Sequence, residues 1–323
     1  MIPSTDDSSF TQVVTLGETM ALMKADTPGP LAHVSSLSLG VGGAESNFAV
    51  ALRRLDTSVT WVGRVGADSL GDLVQREIAA EGIVTLAIRD PDAPTGLMIK
   101  ERRTPDSLRV WYYRARSAGS RLNWADVPAE RIAGAKLLHV TGITLGLSDS
   151  ACEAVHRAVD WARRAGVLVS FDLNYRSALW PPERAAIQFF SIIEKADIVF
   201  AGESEAAIVV GASDDPLELA HRVADLGPTQ SVIKLGAAGC VAVVDGHEYR
   251  QPPVRINAVD SVGAGDAFVA GYVSELVAGA DAAARLRTAV RAGAFACLVP
   301  GDWEGMPRRR ELALLDATEP VSR

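Results

Sequence analysis

The sequence predicts an α/β protein: a mostly parallel central sheet with helices on both faces and a small β lid. Three observations carry this. Short apolar runs alternate with stretches of helical periodicity, the pattern of a sheet covered on both faces. Two segments, about 19–41 and 91–116, lack helical periodicity and read as the lid. Near the C-terminus a glycine-rich turn leads into a long apolar helical pattern. In order, residues 13–17 read as a first strand, 44–55 as a helix, 59–62 as a strand and 70–81 as a helix. Within the second lid segment, 97–100 and 108–113 are strand-like around turn residues Thr104, Pro105, Asp106 and Ser107, hence a hairpin outside the main sheet. Strands at 137–140, 167–171 and 198–200 alternate with helices at 150–164, 183–194 and 216–226. Strands at 231–234 and 241–244 follow, then two helices over 262–298 broken near Gly279-Ala280-Asp281. No linker or repeat is visible, so residues 1–323 are read as one domain with a lid.

The 323 residues are 48% hydrophobic and 22% charged, ordinary for a globular chain. A net charge of −8 argues against nucleic acid or an anionic membrane as a bulk partner. It does not argue against an anionic small molecule, which needs only a local basic site. Cys152, Cys240 and Cys297 are far apart, odd in number and set in apolar runs, which fits a reduced, cytoplasmic setting. The opening residues 1–7 are acidic and lack the apolar stretch of a secretion signal. No run approaches a membrane span.

The most informative stretch is Asp260-Ser261-Val262-Gly263-Ala264-Gly265-Asp266. Unpaired N–H groups at a helix start attract anions. A carboxylate inside such a site is useful if it takes a proton from a hydroxyl that attacks a phosphoryl group. Asp266 is the candidate base, and Gly263, Ala264 and Gly265 supply the donors. The plainer reading is a tight turn followed by an acid in the first helical turn. Gly42 and Gly43 permit close backbone approach before a helix, and Asn47 offers a donor and an acceptor to a sugar hydroxyl. Lys234, Gly236 and Gly239 close a strand where nucleotide phosphates or ribose could approach; the alternative is a β-turn. Neither a Walker A loop nor GxGxxG is present, which disfavours P-loop and dinucleotide-binding folds. Arg114 and Arg176 each end a strand-like run and suit a carboxylate or a transferring phosphate. Alternation puts Tyr112 and Tyr113 on opposite faces, so one at most shares the cleft with Arg114. Glu205 reads as a water-mediated Mg²⁺ ligand or as a helix-start acid.

Together these segments resemble the ribokinase-like (PfkB) family of sugar kinases over nearly the whole chain, and most closely its 2-keto-3-deoxygluconate kinases. The features carrying this are Gly42-Gly43 with Asn47, the 62–71 block around Gly63-Arg64-Val65-Gly66-Ala67-Asp68, the 234–239 turn and the 260–266 loop. Tyr112 to Ser120, Thr141-Gly142-Ile143, Asp172 to Arg176 and Gly301-Asp302-Trp303-Glu304-Gly305 are similar to segments of those kinases. The resemblance implies a ribokinase-like three-layer sandwich with a β lid, and ATP and Mg²⁺ as cofactors. A monovalent cation is left open as a further one. It implies a sugar-acid substrate held by Gly42, Gly43, Asn47, Tyr112, Arg114, Arg176 and Asp302, with Asp266 deprotonating its terminal hydroxyl. It places the nucleotide on Asn174, Lys234, Gly236, Gly239, Gly263 and Gly265. Pairing through the lid implies a homo-oligomer. Three positions depart from the family pattern: Gly202 replaces Asn, Met98 a Tyr and Trp303 a His. The alternatives are the same fold acting on fructose, ribose, a nucleoside or a related keto-sugar acid, or a non-catalytic sugar sensor.

Overall fold

A computed structural model describes residues 11–104 and 107–316. The acidic residues 1–7 and the turn residues Pro105 and Asp106 lie outside the described residues. The N-terminal part comprises β1 (Val13–Leu16), β2 (Met20–Ala25), β3 (Leu37–Gly42), α1 (Ala44–Arg54), β4 (Val59–Gly66), α2 (Ser69–Ala80), β5 (Val84–Asp90), β6 (Leu97–Thr104) and β7 (Ser107–Tyr113). The middle comprises α3 (Ala129–Ala133), β8 (Leu137–Thr141), α4 (Gly142–Leu147), α5 (Asp149–Arg164), β9 (Leu168–Asp172), α6 (Pro182–Ile193), β10 (Ile198–Gly202), α7 (Glu203–Val210) and α8 (Pro216–Ala224). The last part comprises β11 (Gln230–Lys234), β12 (Cys240–Val244), β13 (His247–Gln251), α9 (Ala264–Val277) and α10 (Ala282–Ala296).

Nine strands form one sheet in the order β13-β12-β11-β10-β9-β8-β1-β4-β5. From β11 to β5 every pairing is parallel; β12 and β13 add an antiparallel edge. Alternate side chains of β1 divide between two cores. Val13 joins Trp61, Phe48 of α1 and Val269 and Tyr272 of α9. Val14 and Leu16 join Val155 of α5 and Phe189 of α6 on the other face. That division makes three layers and explains why central strands such as β1 and β8 are buried along their whole length. The predicted helices appear within one or two residues of their expected limits, α9 included, which starts at Ala264.

The lid is a four-stranded sheet in the order β3-β2-β6-β7. The hairpin expected over 91–116 is β6 and β7, and the segment 19–41 supplies β2 and β3. Four strands had no clear sequence signal. In β2 and β3 the inward positions alternate Met20, Leu22 and Lys24 against Gly42, Gly40 and Ser38, too mixed to show a period. In β5 six of seven residues are half-buried or exposed, so no alternation is visible. The polar His247–Gln251 run is held by its ladder to β12 rather than by a buried face.

The family-like block after β4 is structural. Asp68 caps α2, accepting from the Gly71 N–H at 2.7 Å, the Thr95 N–H at 2.8 Å and the Thr95 hydroxyl at 2.8 Å. Arg64 binds Asp126 at 2.9 Å and Asp90 at 3.2 Å. These contacts fasten the start of the lid to the sheet.

Candidate active site

In open α/β sheets ligands gather at the carboxyl ends of the strands. Here β9 ends in Asp172 and β11 in Lys234, two strands apart, with β10 between them. The Lys234 ammonium lies 2.7 and 2.9 Å from the Asp172 carboxylate oxygens. Burial pulls the Lys234 pKa down, but the charges of Asp172, Glu205 and Asp266 outweigh it and hold it above its usual value.

The 260–266 loop faces this pair. Asp260 ties it down, accepting from the Val262 N–H at 3.1 Å and the Gly301 N–H at 3.3 Å. Gly263 has φ 75° and begins α9, and no side chain caps that helix end. A Cβ at Gly263 would strike the Asp302 carbonyl oxygen, so both the dihedral and the crowding demand glycine. Asp266 lies in the first turn of α9. It accepts from Asn47 Nδ2 at 2.9 Å and from Asn174 Nδ2 at 3.5 Å. No basic group pairs with it among the described residues. Burial, with the nearby Asp172 charge, lifts its pKa to about 7, against the Asn47 bond and the charges of Arg176 and Lys234. A carboxylate near 7 is matched to proton abstraction at neutral pH. Asn47 spends its amide on Asp266, and its own carbonyl oxygen is buried without a partner.

Beside the loop lies a cavity of about 590 Å³, lined among others by Lys234, Gly236, Gly239, Val254, Gly265 and Val290. Its size and largely apolar wall suit a purine nucleotide. Gly236 and Gly239 have φ 54° and 92°, and a Cβ at Gly239 would strike the Gln251 carbonyl. The turn is therefore required by the backbone as well as available to a ligand. Among the described residues no group of three His, Cys, Asp or Glu is arranged to hold a metal. Asp172 and Glu205 lie within reach of each other's charge and are hard oxygen donors of the kind that would suit Mg²⁺ held chiefly by phosphates and water.

On the lid side, the Lys100 ammonium of β6 is buried and paired with buried Asp302. Asp302 also abuts Gly42, where a Cβ would strike its carboxylate, and Met98 closes the same corner. Trp303 donates its indole N–H to the Val41 carbonyl at 3.0 Å, securing β3 to the 301–306 loop. Arg114 is held by Glu18 through two nitrogens at 2.8 and 2.6 Å and lies over the Tyr112 ring at 5.7 Å. Glu18 is fully buried, also accepts from Ser117, and leaves no room for a Cβ at Gly96 or Gly119.

The model described as "pfkB family carbohydrate kinase" matches residues 11–309. The chain belongs to the PfkB family. It is 36% identical to the 2-dehydro-3-deoxygluconokinase of Thermoproteus tenax over 304 residues, 93% of this chain and 92% of that one. The corresponding enzyme of Bacillus subtilis is 35% identical, covering 93% and 94%. The solved 2-dehydro-3-deoxygluconokinase of Thermotoga maritima superposes with a TM-score of 0.85 at 26% identity, covering 95% and 98%. The ribokinase-like fold with its small lid sheet and the sugar-kinase class of activity expected from the sequence are those of this family.

The structure brings Asn47, Asn174, Lys234, Gly263, Ala264, Gly265 and Asp266 to the junction of β9, β11 and α9, with Gly236 and Gly239 on the cavity wall. Gly42 and Asp302 meet at the lid corner. Gly43 begins α1, pressed against the Glu18 carbonyl. Arg176 reaches the site by its charge on Asp266 and Asp172. Tyr112 is 45% exposed beneath Arg114. Glu205 stands behind the site, its oxygens accepting the N–H of Gly202 at 2.6 Å and of Tyr175 at 2.9 Å. Sequence reasoning missed Glu18, Lys100 and Glu45. Glu45 is buried, binds the Thr141 and Thr144 hydroxyls at 2.6 Å each, and is pushed upward in pKa by burial. None of the three stood out: Glu45 sits between small and polar residues, and Lys100 opens the charged run Lys100-Glu101-Arg102-Arg103.

A testable consequence follows from the Asp266 shift. Its pKa rises from an ordinary 3.8 to about 7 on folding. Between those values the folded chain holds a proton that the unfolded chain has released, so stability falls as pH rises through that window. Asp266→Asn removes the effect. The variant should be more stable than the parent by on the order of 1–4 kcal/mol at pH 8, narrowing at pH 5. Thermal melts at both pH values check this; a gap independent of pH would count against it.

Proposed function

We propose that this PfkB kinase transfers the γ-phosphoryl group of ATP to the terminal primary hydroxyl of 2-keto-3-deoxygluconate, the sugar acid also called 2-dehydro-3-deoxygluconate. The observation that carries the reading is Asp266: a half-buried carboxylate with a pKa near 7, held by two amides at the uncapped start of a helix. The names of the relatives support the choice of sugar acid.

Asp266 takes the proton of the hydroxyl as it attacks. N–H groups of Gly263 to Asp266 receive the charge that builds on the transferring group, a donor set fixed before reaction. Bound ATP with Mg²⁺ supplies the phosphoryl group. Lys234, Asn174, Gly236 and Gly239 hold the nucleotide side, and Glu205 acts on Mg²⁺ through water. Arg114 and Arg176 hold the substrate carboxylate or the transferring phosphate, while Gly42, Gly43, Asn47, Tyr112 and Asp302 shape the sugar pocket. The lid excludes water, limiting loss of the phosphoryl group to hydrolysis. We read residues 1–323 as one such unit in the cytoplasm; among the described residues no helix is long and apolar enough to cross a membrane. A second copy of the chain completes the picture. The outer lid face presents Leu39, Trp111 and Tyr113, 37–61% exposed. They share that face with Met23 and Ile99 by register. We assign this face to a homodimer.

Measurements of rate, preference and mass test these statements. Asp266→Asn should lower kcat by about 10³-fold or more. For the parent, kcat/KM should rise with pH through an apparent pKa near 7, since the base acts when deprotonated. A flat profile from pH 5.5 to 8.5 would remove Asp266 from the role. In a coupled ADP-release assay, 2-keto-3-deoxygluconate should be preferred over its galactonate epimer, fructose, ribose and adenosine. Arg114→Ala should raise KM for the sugar acid far more than for ATP. A neutral-sugar preference would redirect the substrate assignment, and equal KM effects would mark Arg114 as the partner of buried Glu18 alone. Repeating the assay in potassium, sodium and Tris salts reads whether a monovalent cation is required. Light scattering should give twice the chain mass; a monomer at micromolar concentration would overturn the dimer.

A further inference from the structure

A second basic site lies away from the nucleotide cavity. Arg53 and Arg54 close α1, and Arg308, Arg309 and Arg310 follow Pro307. The fold brings the two runs to one pocket of about 410 Å³, whose other lining residues are Asp56 and Glu81. It shares no lining residue with the larger cavity. Five guanidinium groups face two carboxylates there, on a chain whose net charge is −8.

The arginines divide by what they already hold. Arg54 is bidentate to Glu81 at 2.9 Å and donates to the Met306 carbonyl at 2.8 Å. Arg309 binds Glu275 at 2.6 Å and the Leu55 carbonyl at 2.9 Å. These two are accounted for by the fold. Arg53 gives one N–H to the Gly82 carbonyl at 3.1 Å and otherwise faces solvent. Arg308 and Arg310 are exposed and form no ion pair among the described residues; Arg308 only adds its field to Glu81. A guanidinium cannot shed its proton to relieve repulsion. Convergent arginines in excess over carboxylates are therefore stabilised by an anion, and their planar fork matches phosphate oxygens two at a time. The volume exceeds that of bare phosphate and reaches the range of small-ligand pockets.

We propose that this pocket is a second anion site that binds a small phosphorylated metabolite, with Arg53, Arg308 and Arg310 as its free donors. The site backs onto the lid corner. Arg54 also lies over the Trp303 ring at 5.2 Å, donating to the Trp303 carbonyl at 3.1 Å, and Trp303 is bonded to Val41 of β3.

The test is isothermal titration of the full chain with 3-phosphoglycerate as probe, with the nucleotide site saturated by a non-hydrolysable ATP analogue and Mg²⁺. One saturable equivalent is expected. Arg308→Ala combined with Arg310→Ala should weaken it at least about tenfold. Arg308→Lys with Arg310→Lys should retain part of it, and kcat and KM measured without the probe should be unchanged in both variants. Absence of a saturable heat in the parent overturns the proposal. So does equal affinity in the double alanine variant, or inorganic phosphate binding as tightly as the ester. A heat that appears only when the ATP analogue is left out belongs to the 260–266 loop and also overturns it.

Discussion

The ion pair between Asp172 and Lys234 is the interaction on which the rest of the site depends. It joins the ends of β9 and β11 at 2.7 Å and commits the half-buried Lys234 to a partner other than Asp266. A direct lysine partner would hold Asp266 ionised and far too weak a base. With Lys234 occupied, Asp266 is held instead by neutral amides from α1 and from the turn after β9. Its position is fixed and its basicity is kept. Asn174 pays for this with a strained backbone, φ 37°, a conformation Asn tolerates better than most residues.

The lid is fastened by buried charge as well. Lys100 reaches from β6 to Asp302, and Arg114 reaches from the end of β7 to Glu18. Each pair is nearly inaccessible to water on at least one side, where breaking one partner leaves an uncompensated charge. The first pair ties the lid to the same residue whose carbonyl presses on Gly263. Lid position and the shape of the 260–266 loop are therefore linked through Asp302 rather than set separately. Packing in the lid is slight by comparison: Met20, Leu22 and Met98 form its whole buried apolar cluster among the described residues.

Much of this was legible in the chain. Strands buried on both faces, such as 137–140 and 198–200, announce themselves because nearly every residue is apolar, with buried His139 the exception. Helix α5 shows its period because one face alone is buried, through Ala151, Ala154, Val155, Ala158, Val159 and Ala162. The 260–266 loop was readable because glycine at 263 and an acid at 266 have few joint explanations. What escaped notice was set by distant partners. Strand β13 is polar and exists because β12 offers a ladder. Strand β5 is an edge with no buried face to pattern it. Glu18, Glu45 and Lys100 look like ordinary surface charges in sequence, and only the fold buries them against Arg114, Thr141 and Asp302. Arg114 carried the opposite ambiguity: its charge was visible, but not that Glu18 already shares it.

The crowding at Gly263 has a bearing on how such a chain can diverge. The anion loop is defined by backbone atoms: a left-handed dihedral, the N–H groups of the next turn and the Asp302 carbonyl where a Cβ would stand. No side-chain exchange can retune it by degrees, since the first added carbon already collides. The lid corner opposite is written in side chains: Met98 and Tyr112 stand on β6 and β7, where the ladder fixes the main chain, while Arg114 stays tied to buried Glu18. Drift in a lineage, or a library in the laboratory, therefore has freedom to explore new acceptors at the lid while the transfer chemistry stays locked. Diversification of preference on a frozen reaction is the course this division of labour permits.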